Sequence, residues 1–424
     1  MPASAMLAGM NARFLIRAVV AAAVTLAVLP GTAEASSPSR TPVVLFPAFH
    51  LTKLEVTVRD QTTDPNCPRS GSFQDWYQNT QASAFSQVCQ DELETLRYDP
   101  NPAKPMPLRF AEQPGVTVSV IDYGRTDSAP FYETLYKTLE SAGYQRDKDI
   151  RVAGYDARLT PDQGGFLARA KQLVEQTYHD NGNMPVQLIG HSNGPLYAQY
   201  LLTHTSQAWR DTYIHGFTPL AGNFPGQGLL YSMLFTGLNV PDFGYPKTVD
   251  NAVSSARMYL TAPSTYMSAS DPAVFGDRET VIKDTSTGRG YTPRDWPQLL
   301  KDAGLTAEQQ IARYYIGFVK FSTPRNFPNV DVTAEKGSGL PTIVGATLPD
   351  LKIGQLVEQS QFILMSGDSN QEDITNNANR VWSAMKCHSY VLNDNPGVDH
   401  FSLPSNENVL NRLLTTLTAP RHHC

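Results

Sequence analysis

The order of apolar segments predicts an α/β protein built on a mostly parallel sheet with helices on both faces. Two observations carry this. From residue 42 to residue 220, short apolar runs alternate with stretches of helical spacing, which is the rhythm of strand–helix–strand units. One of those runs, Val186–Ile189, passes straight into Gly190-His191-Ser192-Asn193-Gly194 and then into another helical stretch. Composition agrees, with 41% hydrophobic and 17% charged residues, enough for a large core. The 31 prolines and 29 glycines argue against coiled coils and simple bundles. No internal repeat of about 20–50 residues is visible, which excludes solenoids and propellers. The 34 Lys+Arg against 40 Asp+Glu leave a net charge of −6, the wrong sign for a nucleic-acid partner.

Each element follows from its own residues. Pro42–Pro47 (PVVLFP) is a short buried strand ended by proline, and Val116–Tyr123 is a second apolar run with strand alternation. Ala129–Ala142 carries Phe131, Leu135 and Leu139 at helical spacing and stops at Gly143. Ile150–Tyr155 is a short strand, Gly164–Asp180 an amphipathic helix, Val186–Gly190 a strand and Pro195–His204 a helix. Ile214–Leu220 and Gln361–Met365 are expected as further strands, with Ser389–Leu392 and a final helix Asn406–Thr416 after them. Residues from about 222 to 358 break the rhythm, being rich in Gly, Pro, Tyr and Ser, and are expected to form an inserted cap. Residues 60–113 read as a second, lid-like insertion into the domain 36–424.

Residues 1–35 have the pattern of a secretory signal. Arg13 and Arg17 precede an apolar run, Ala18–Leu29, and Ala33-Glu34-Ala35 has the small-x-small form of a cleavage site. The run is short of the ~20 residues that span a bilayer, so a secreted, extracellular protein cleaved after Ala35 is expected. An exported chain admits disulfides. Cys67, Cys89, Cys387 and Cys424 allow three pairings, of which Cys67–Cys89 is the local choice, with Cys387–Cys424 tying down the tail. There is no CxxC and no histidine cluster with zinc-ligand spacing, so neither a metal nor a cofactor is expected.

The chemistry is expected at Ser192. A sharp turn between strand and helix strains the serine backbone and lifts Oγ above the sheet edge, and glycines flank it because side chains would collide with the neighbouring strand and helix. A serine hydroxyl needs a base to take its proton and a third group to orient that base. In this arrangement the acid and then the histidine follow the serine in the chain. Asp368 directly follows a late strand and is the candidate acid. Asp373 is the competitor, and Asp399 is too close in sequence to the candidate histidine to orient it. His400, in a turn-rich loop before the final helix, is the candidate base, whereas His204, His215 and His388 fall at element ends. Two backbone N–H groups must face the developing oxyanion. One is that of Asn193, and the other comes from the Phe46–His50 loop, with Phe49 chosen over His50.

Several ordered motifs resemble the lecithin:cholesterol acyltransferase family, which includes the lysosomal phospholipase. They are VQLIGHSNGPLYAQYLL followed by QAWRDTYIHGF around Ser192, VVLFPAFHLTKLEV upstream, and Gly154-Tyr155-Asp156-Ala157-Arg158-Leu159. Gly367-Asp368 and Gly397-Val398-Asp399-His400 follow downstream. The resemblance spans most of residues 41–415. It implies an α/β-hydrolase fold with a cap and a small disulfide-closed lid, catalysis by Ser192, Asp368 and His400, and an oxyanion donor at Phe49. It further implies a Cys67–Cys89 disulfide and an interfacial tryptophan at Trp76. The chain departs from the family pattern in the family's second disulfide, which is not matched in place, and in three motifs. Pro47-Ala48 replaces Pro-Gly, Gly222-Asn223-Phe224-Pro225-Gly226 replaces the family's Ala-Pro-Trp-Gly-Gly, and only Gly367-Asp368 remains of its late Gly-Asp motif.

The expected activity is a lipid O-acyltransferase or phospholipase. It would form a Ser192 acyl-enzyme from a phospholipid or other lipid ester and pass the acyl group to an alcohol or water. A carboxylesterase or triacylglycerol lipase is the enzymatic alternative, and an inactive lipid-binding protein the alternative of a different class. Phe73, Trp76, Tyr77 and Phe85 lie in the Cys67–Cys89 loop. Four aromatics in a polar loop suggest a patch making transient contact with a membrane surface. Asp156 and Arg158 are expected to form an internal ion pair that fixes a loop near the site.

Overall fold

The computed structural model describes residues 40–77, 79, 81–98, 110–237, 248–308, 311 and 324–422. The proposed signal segment and Cys424 lie outside these residues.

Six parallel strands form the central sheet: β1 (Val43–Phe46), β2 (Ile150–Val152), β3 (Val186–His191), β4 (Ile214–Leu220), β5 (Val332–Ser338) and β6 (Tyr390–Pro396). Their spatial order is β6-β5-β4-β3-β1-β2, with every pairing parallel. The apolar runs in β1 and β3 are buried along their whole length, as a sheet covered on both faces requires. Alternate residues of β1 enter different cores. Val44 and Phe46 pack with Leu188, Leu196 and Phe217, and Val43 and Leu45 pack with Leu135, Leu139 and Leu413. Helices Phe166–Asp180 and Gly194–Thr203 cover the first face, and Glu133–Ser141 with Glu407–Thr418 the second. The α/β-hydrolase expectation therefore holds.

Two expected strands belong elsewhere. The one expected over Val116–Tyr123 forms as Val116–Val120. It pairs antiparallel with Leu54–Val58, whose other edge pairs with Gly71–Asp75. Its alternation of Val with Thr and Ser leaves one face polar, which suits a half-exposed antiparallel sheet and not a doubly covered one. The run Phe362–Gly367 is the edge of a four-stranded sheet with Leu340–Leu348, Ile282–Asp284 and Arg289–Tyr291. It exposes Leu364 and Met365. The inserted region expected over 222–358 also contains β5. Thr333, Glu335, Lys336 and Gly337 hide that strand from a hydrophobicity reading. Glu335 is buried there because Arg412 donates to both its oxygens, at 2.8 and 2.6 Å.

The segment closed by Cys67 and Cys89 is better packed than its composition suggests. Cys67 and Cys89 are disulfide-bonded. Phe73 and Phe85 are buried with Val56, Val58, Leu93 and Val116, so these two aromatics are core and not interface. Tyr77 stacks on Phe401 with ring centroids 5.7 Å apart. Of the four aromatics, Trp76 is partly buried, with its Nε1 enclosed and without a hydrogen-bond partner among the described residues, and joins none of these hydrophobic clusters.

Candidate active site

The turn after β3 has the strain that its sequence predicts. Ser192 has φ +60°, a left-handed conformation that is costly for a residue with a Cβ. Its N–H donates to Leu220 O at 2.9 Å, and its carbonyl accepts from Asn223 N at 3.0 Å, so the end of β4 and the chain beyond it hold the turn. The flanking glycines are required by space. A Cβ on Gly190 would lie 2.8 Å from Pro195 N, and one on Gly194 would lie 2.0 Å from Phe46 O.

Asp368 and His400, 32 residues apart, meet at this turn. His400 Nδ1 lies 3.0 Å from Asp368 Oδ2, and the two side chains are 1% and 0% exposed. The other oxygen, Oδ1, accepts from Asn370 N at 3.1 Å and Gln371 N at 2.6 Å. Asp368 O accepts from His400 N at 2.8 Å, which locks the two loops together. A carboxylate that only accepts makes Nδ1 the protonated nitrogen and leaves Nε2 with its lone pair. Nε2 is buried and has no hydrogen-bond partner among the described residues, Ser192 Oγ included, so its lone pair is unengaged. Asp373 instead begins a short helix, Asp373–Asn377. Asp399 accepts from Phe401 N and Ser402 N at 3.1 and 3.0 Å.

Ser192, His400, Asn193 and Phe49 line one pocket, together with Gln227, Leu229 and Met233. His50, the alternative oxyanion donor, does not line it. Its Nδ1 lies 3.4 Å from Asp75 Oδ2. The loop carrying Phe49 is held from both sides: Tyr132 Oη accepts from Ala48 N at 2.8 Å, and the Tyr155 hydroxyl donates to Pro47 O at 2.6 Å. A separate cavity of ≈ 350 Å³ lies beside Tyr155 and Arg169 and contains none of the four.

Sequence reasoning passed over three neighbours. His191 is fully buried, with its ring centroid 4.9 Å from that of His400. Gly337 on β5 backs the acid loop. Gln227, just after the Gly222–Gly226 segment, lines the pocket. Only His191 carried a signal, as the residue before the candidate nucleophile. The Asp156–Arg158 pair is present, at a turn. Arg158 donates to Asp156 at 3.0 and 2.7 Å, to Glu112 at 3.0 and 2.8 Å, and to Glu94 O at 2.8 Å. Burial works to raise the Asp156 pKa, and the Arg158 charge and hydrogen bonds outweigh it and hold it below the usual aspartate value. No group of three His, Cys, Asp or Glu side chains among the described residues could hold a metal ion.

Residues 102–246 match the family described as lecithin:cholesterol acyltransferase. The chain carries this domain and is homologous to that family. It is 28% identical over 323 residues to the human lysosomal phospholipase A and acyltransferase, covering 72% of this chain and 74% of the relative. It is 30% identical over 245 residues to the phosphatidylcholine-sterol acyltransferase of Gallus gallus, covering 55% and 57%. A chain in the crystal structure of the Tle4-Tli4 complex shares the fold at a TM-score of 0.54 and 11% identity, over 89% of this chain and 97% of that one. The family match over residues 102–246 includes Ser192 and ends before Asp368 and His400.

Proposed function

We propose that this chain is a serine-dependent lipid acyltransferase and phospholipase of the lecithin:cholesterol acyltransferase type. The observation that carries the reading is the buried His400–Asp368 hydrogen bond of 3.0 Å, in the pocket that a strained Ser192 enters. Ser192 Oγ attacks the ester carbonyl as His400 Nε2 takes its proton, and Asp368 steadies the imidazolium through Nδ1–H. The tetrahedral oxyanion accepts from the N–H groups of Asn193 and Phe49, neither of which has a hydrogen-bond acceptor among the described residues. His400 returns the proton to the departing alcohol, and the C–O bond to it breaks, which leaves an acyl-enzyme. An acceptor alcohol or water then gives its proton to His400 and attacks the acyl carbon. Collapse of that intermediate returns the proton to Ser192.

The substrate is proposed to be a phospholipid, the class named for the relative from Gallus gallus. Trp76 is proposed as the side chain that meets the lipid surface, since indole favours the headgroup region. Residues 222–358, apart from β5, are read as a cap over the pocket and 60–113 as the lid. Export with cleavage after Ala35 is proposed from the N-terminal pattern. No helix among the described residues is long and apolar enough to cross a membrane.

The deciding experiment offers phosphatidylcholine vesicles to the purified protein with and without a fatty alcohol or sterol. A new ester in the presence of the alcohol establishes transfer, and free fatty acid alone establishes hydrolysis. Failure of a fluorophosphonate to label Ser192 would remove the serine mechanism.

A further inference from the structure

We propose that Tyr132 and His191 are positioning residues that set the oxyanion-binding loop and the base at a fixed separation through one continuous chain of hydrogen bonds. The inference rests on the catalytic reading of Ser192, His400 and Asp368 given above. The chain begins at Ala48, whose N–H donates to Tyr132 Oη at 2.8 Å. The Tyr132 hydroxyl lies 3.1 Å from His191 Nδ1. Across the ring, His191 Nε2 lies 3.0 Å from the carbonyl oxygen of His400.

Chemistry fixes the direction of every link. A carbonyl oxygen only accepts, so His191 Nε2 carries the hydrogen. Burial, and then the neighbouring His400 imidazole, hold the His191 pKa well below the usual histidine value, so the ring is neutral. Nδ1 therefore presents a lone pair, and the Tyr132 hydroxyl must donate to it. That leaves the Tyr132 oxygen free to accept from Ala48. All donors point the same way, from Ala48 toward His400.

Both ends of the chain sit on the machinery. Ala48 immediately precedes Phe49, the proposed oxyanion donor. His400 is the base, and its N–H is bonded to Asp368 O at 2.8 Å. Tyr132 and His191 themselves do not line the pocket and are 2% and 0% exposed, so they act through the residues they hold. A phenylalanine at 132 would pack as well as tyrosine. The hydroxyl is buried because it has two partners to serve. Displacing a reacting group by about 1 Å is enough to cost about 100-fold in rate, so a rigid link between donor and base bears directly on turnover.

The test uses the full-length protein with Tyr132→Phe, His191→Gln and the double variant. Rates are measured on a soluble short-chain ester, and the imidazoles are observed by 15N NMR. Each single variant is expected to lose about 10- to 100-fold in kcat, with a smaller change in KM. The double variant is expected to lose no more than the worse single one, because a chain already broken cannot be broken again. In the unsubstituted protein His191 is expected as the Nε2–H form, without titration from about pH 5 to 8, and Tyr132→Phe should keep that tautomer while shifting the Nδ1 resonance, which loses its hydrogen-bond donor. Additive losses in the double variant, or an Nδ1–H form of His191, would overturn the proposal. So would a folded Tyr132→Phe within about twofold of the original kcat. The NMR readout does not depend on the serine chemistry. Residual turnover in Ser192→Ala would instead count against the catalytic reading.

Discussion

Gly337 and Asp368 approach so closely that a methyl group on Gly337 would lie 2.8 Å from Asp368 Cβ. The same methyl would lie 2.2 Å from the carbonyl oxygen of Val398, two residues before His400. One glycine on β5 thus backs both the acid loop and the base loop. Gly337→Ala should push both loops outward and lower kcat by about 100-fold, with a smaller effect on secondary structure. Circular dichroism together with ester kinetics checks this, and an alanine variant of normal kcat would show that the loops can yield without cost.

Ser192→Ala should remove lipid cleavage and fluorophosphonate labelling together, by at least about 10⁴-fold. The fold should persist, because alanine is smaller than serine and the turn is held by backbone bonds to Leu220 and Asn223. Thermal unfolding of the variant should match that of the parent.

Asp368→Asn should lower kcat by about 10⁴. An amide nitrogen facing Nδ1 favours the tautomer with its hydrogen on Nε2, which cannot accept the serine proton. Asp373→Asn should stay within about threefold of the parent, since Asp373 does not touch His400. The pair of variants is diagnostic, and a reversed order of effects would move the acid role to Asp373.

Trp76→Ser should reduce activity on phospholipid vesicles by about three- to tenfold, while activity on a soluble ester changes far less. The contrast arises because Trp76 is partly exposed between Cys67 and Cys89, whereas Phe73 and Phe85 are core. Vesicle co-sedimentation supplies the second readout. Equal losses on both substrates would assign Trp76 a structural part.

The helices Gln87–Glu94 and Val249–Thr261 should dock more tightly in acid. Asp91, on the helix Gln87–Glu94, accepts from Ser254 Oγ on the helix Val249–Thr261 at 2.6 Å and from Gln87 Nε2 at 2.8 Å. Burial raises its pKa from 3.8 to about 7 against those bonds, with Asp75 adding to the rise and His50 opposing it. Glu94, on the same helix, is raised too, by burial and then by the Asp75 charge. A raised carboxyl pKa means that the folded state holds the proton more tightly. Its contribution is therefore fully present below pH 3.8 and is lost as pH rises through about 7. Each pH unit in that window costs the docked state at most about 1.4 kcal/mol for this group. Wild-type Tm should fall between pH 5 and 7.5, and Asp91→Asn should flatten that fall. Parallel curves for the two proteins would contradict the assignment.

What was legible in the sequence was local. The run Val186–Ile189 followed by Gly-x-Ser-x-Gly defines its own turn, because the glycine collisions and the serine strain arise within a few residues. The nucleophile, and the alternating strands and helices around it, could therefore be read directly. Asp368 and His400 could be named by their order in the chain. Their meeting could not be read, since it depends on Gly337 letting two loops approach and on Phe362–Gly367 joining a different sheet from the one expected. β5 was invisible because Glu335 and Lys336 are tolerable in a buried strand only once Arg412 and Asp394 are brought to them. The aromatics Phe73 and Phe85 looked like surface residues until a three-stranded sheet closed over them. The hydrogen bonds that join Ala48, Tyr132, His191 and His400 span residues far apart in the chain, and no local pattern announces them. Short-range sterics wrote the nucleophile into the sequence, whereas long-range packing alone decided what stands around it.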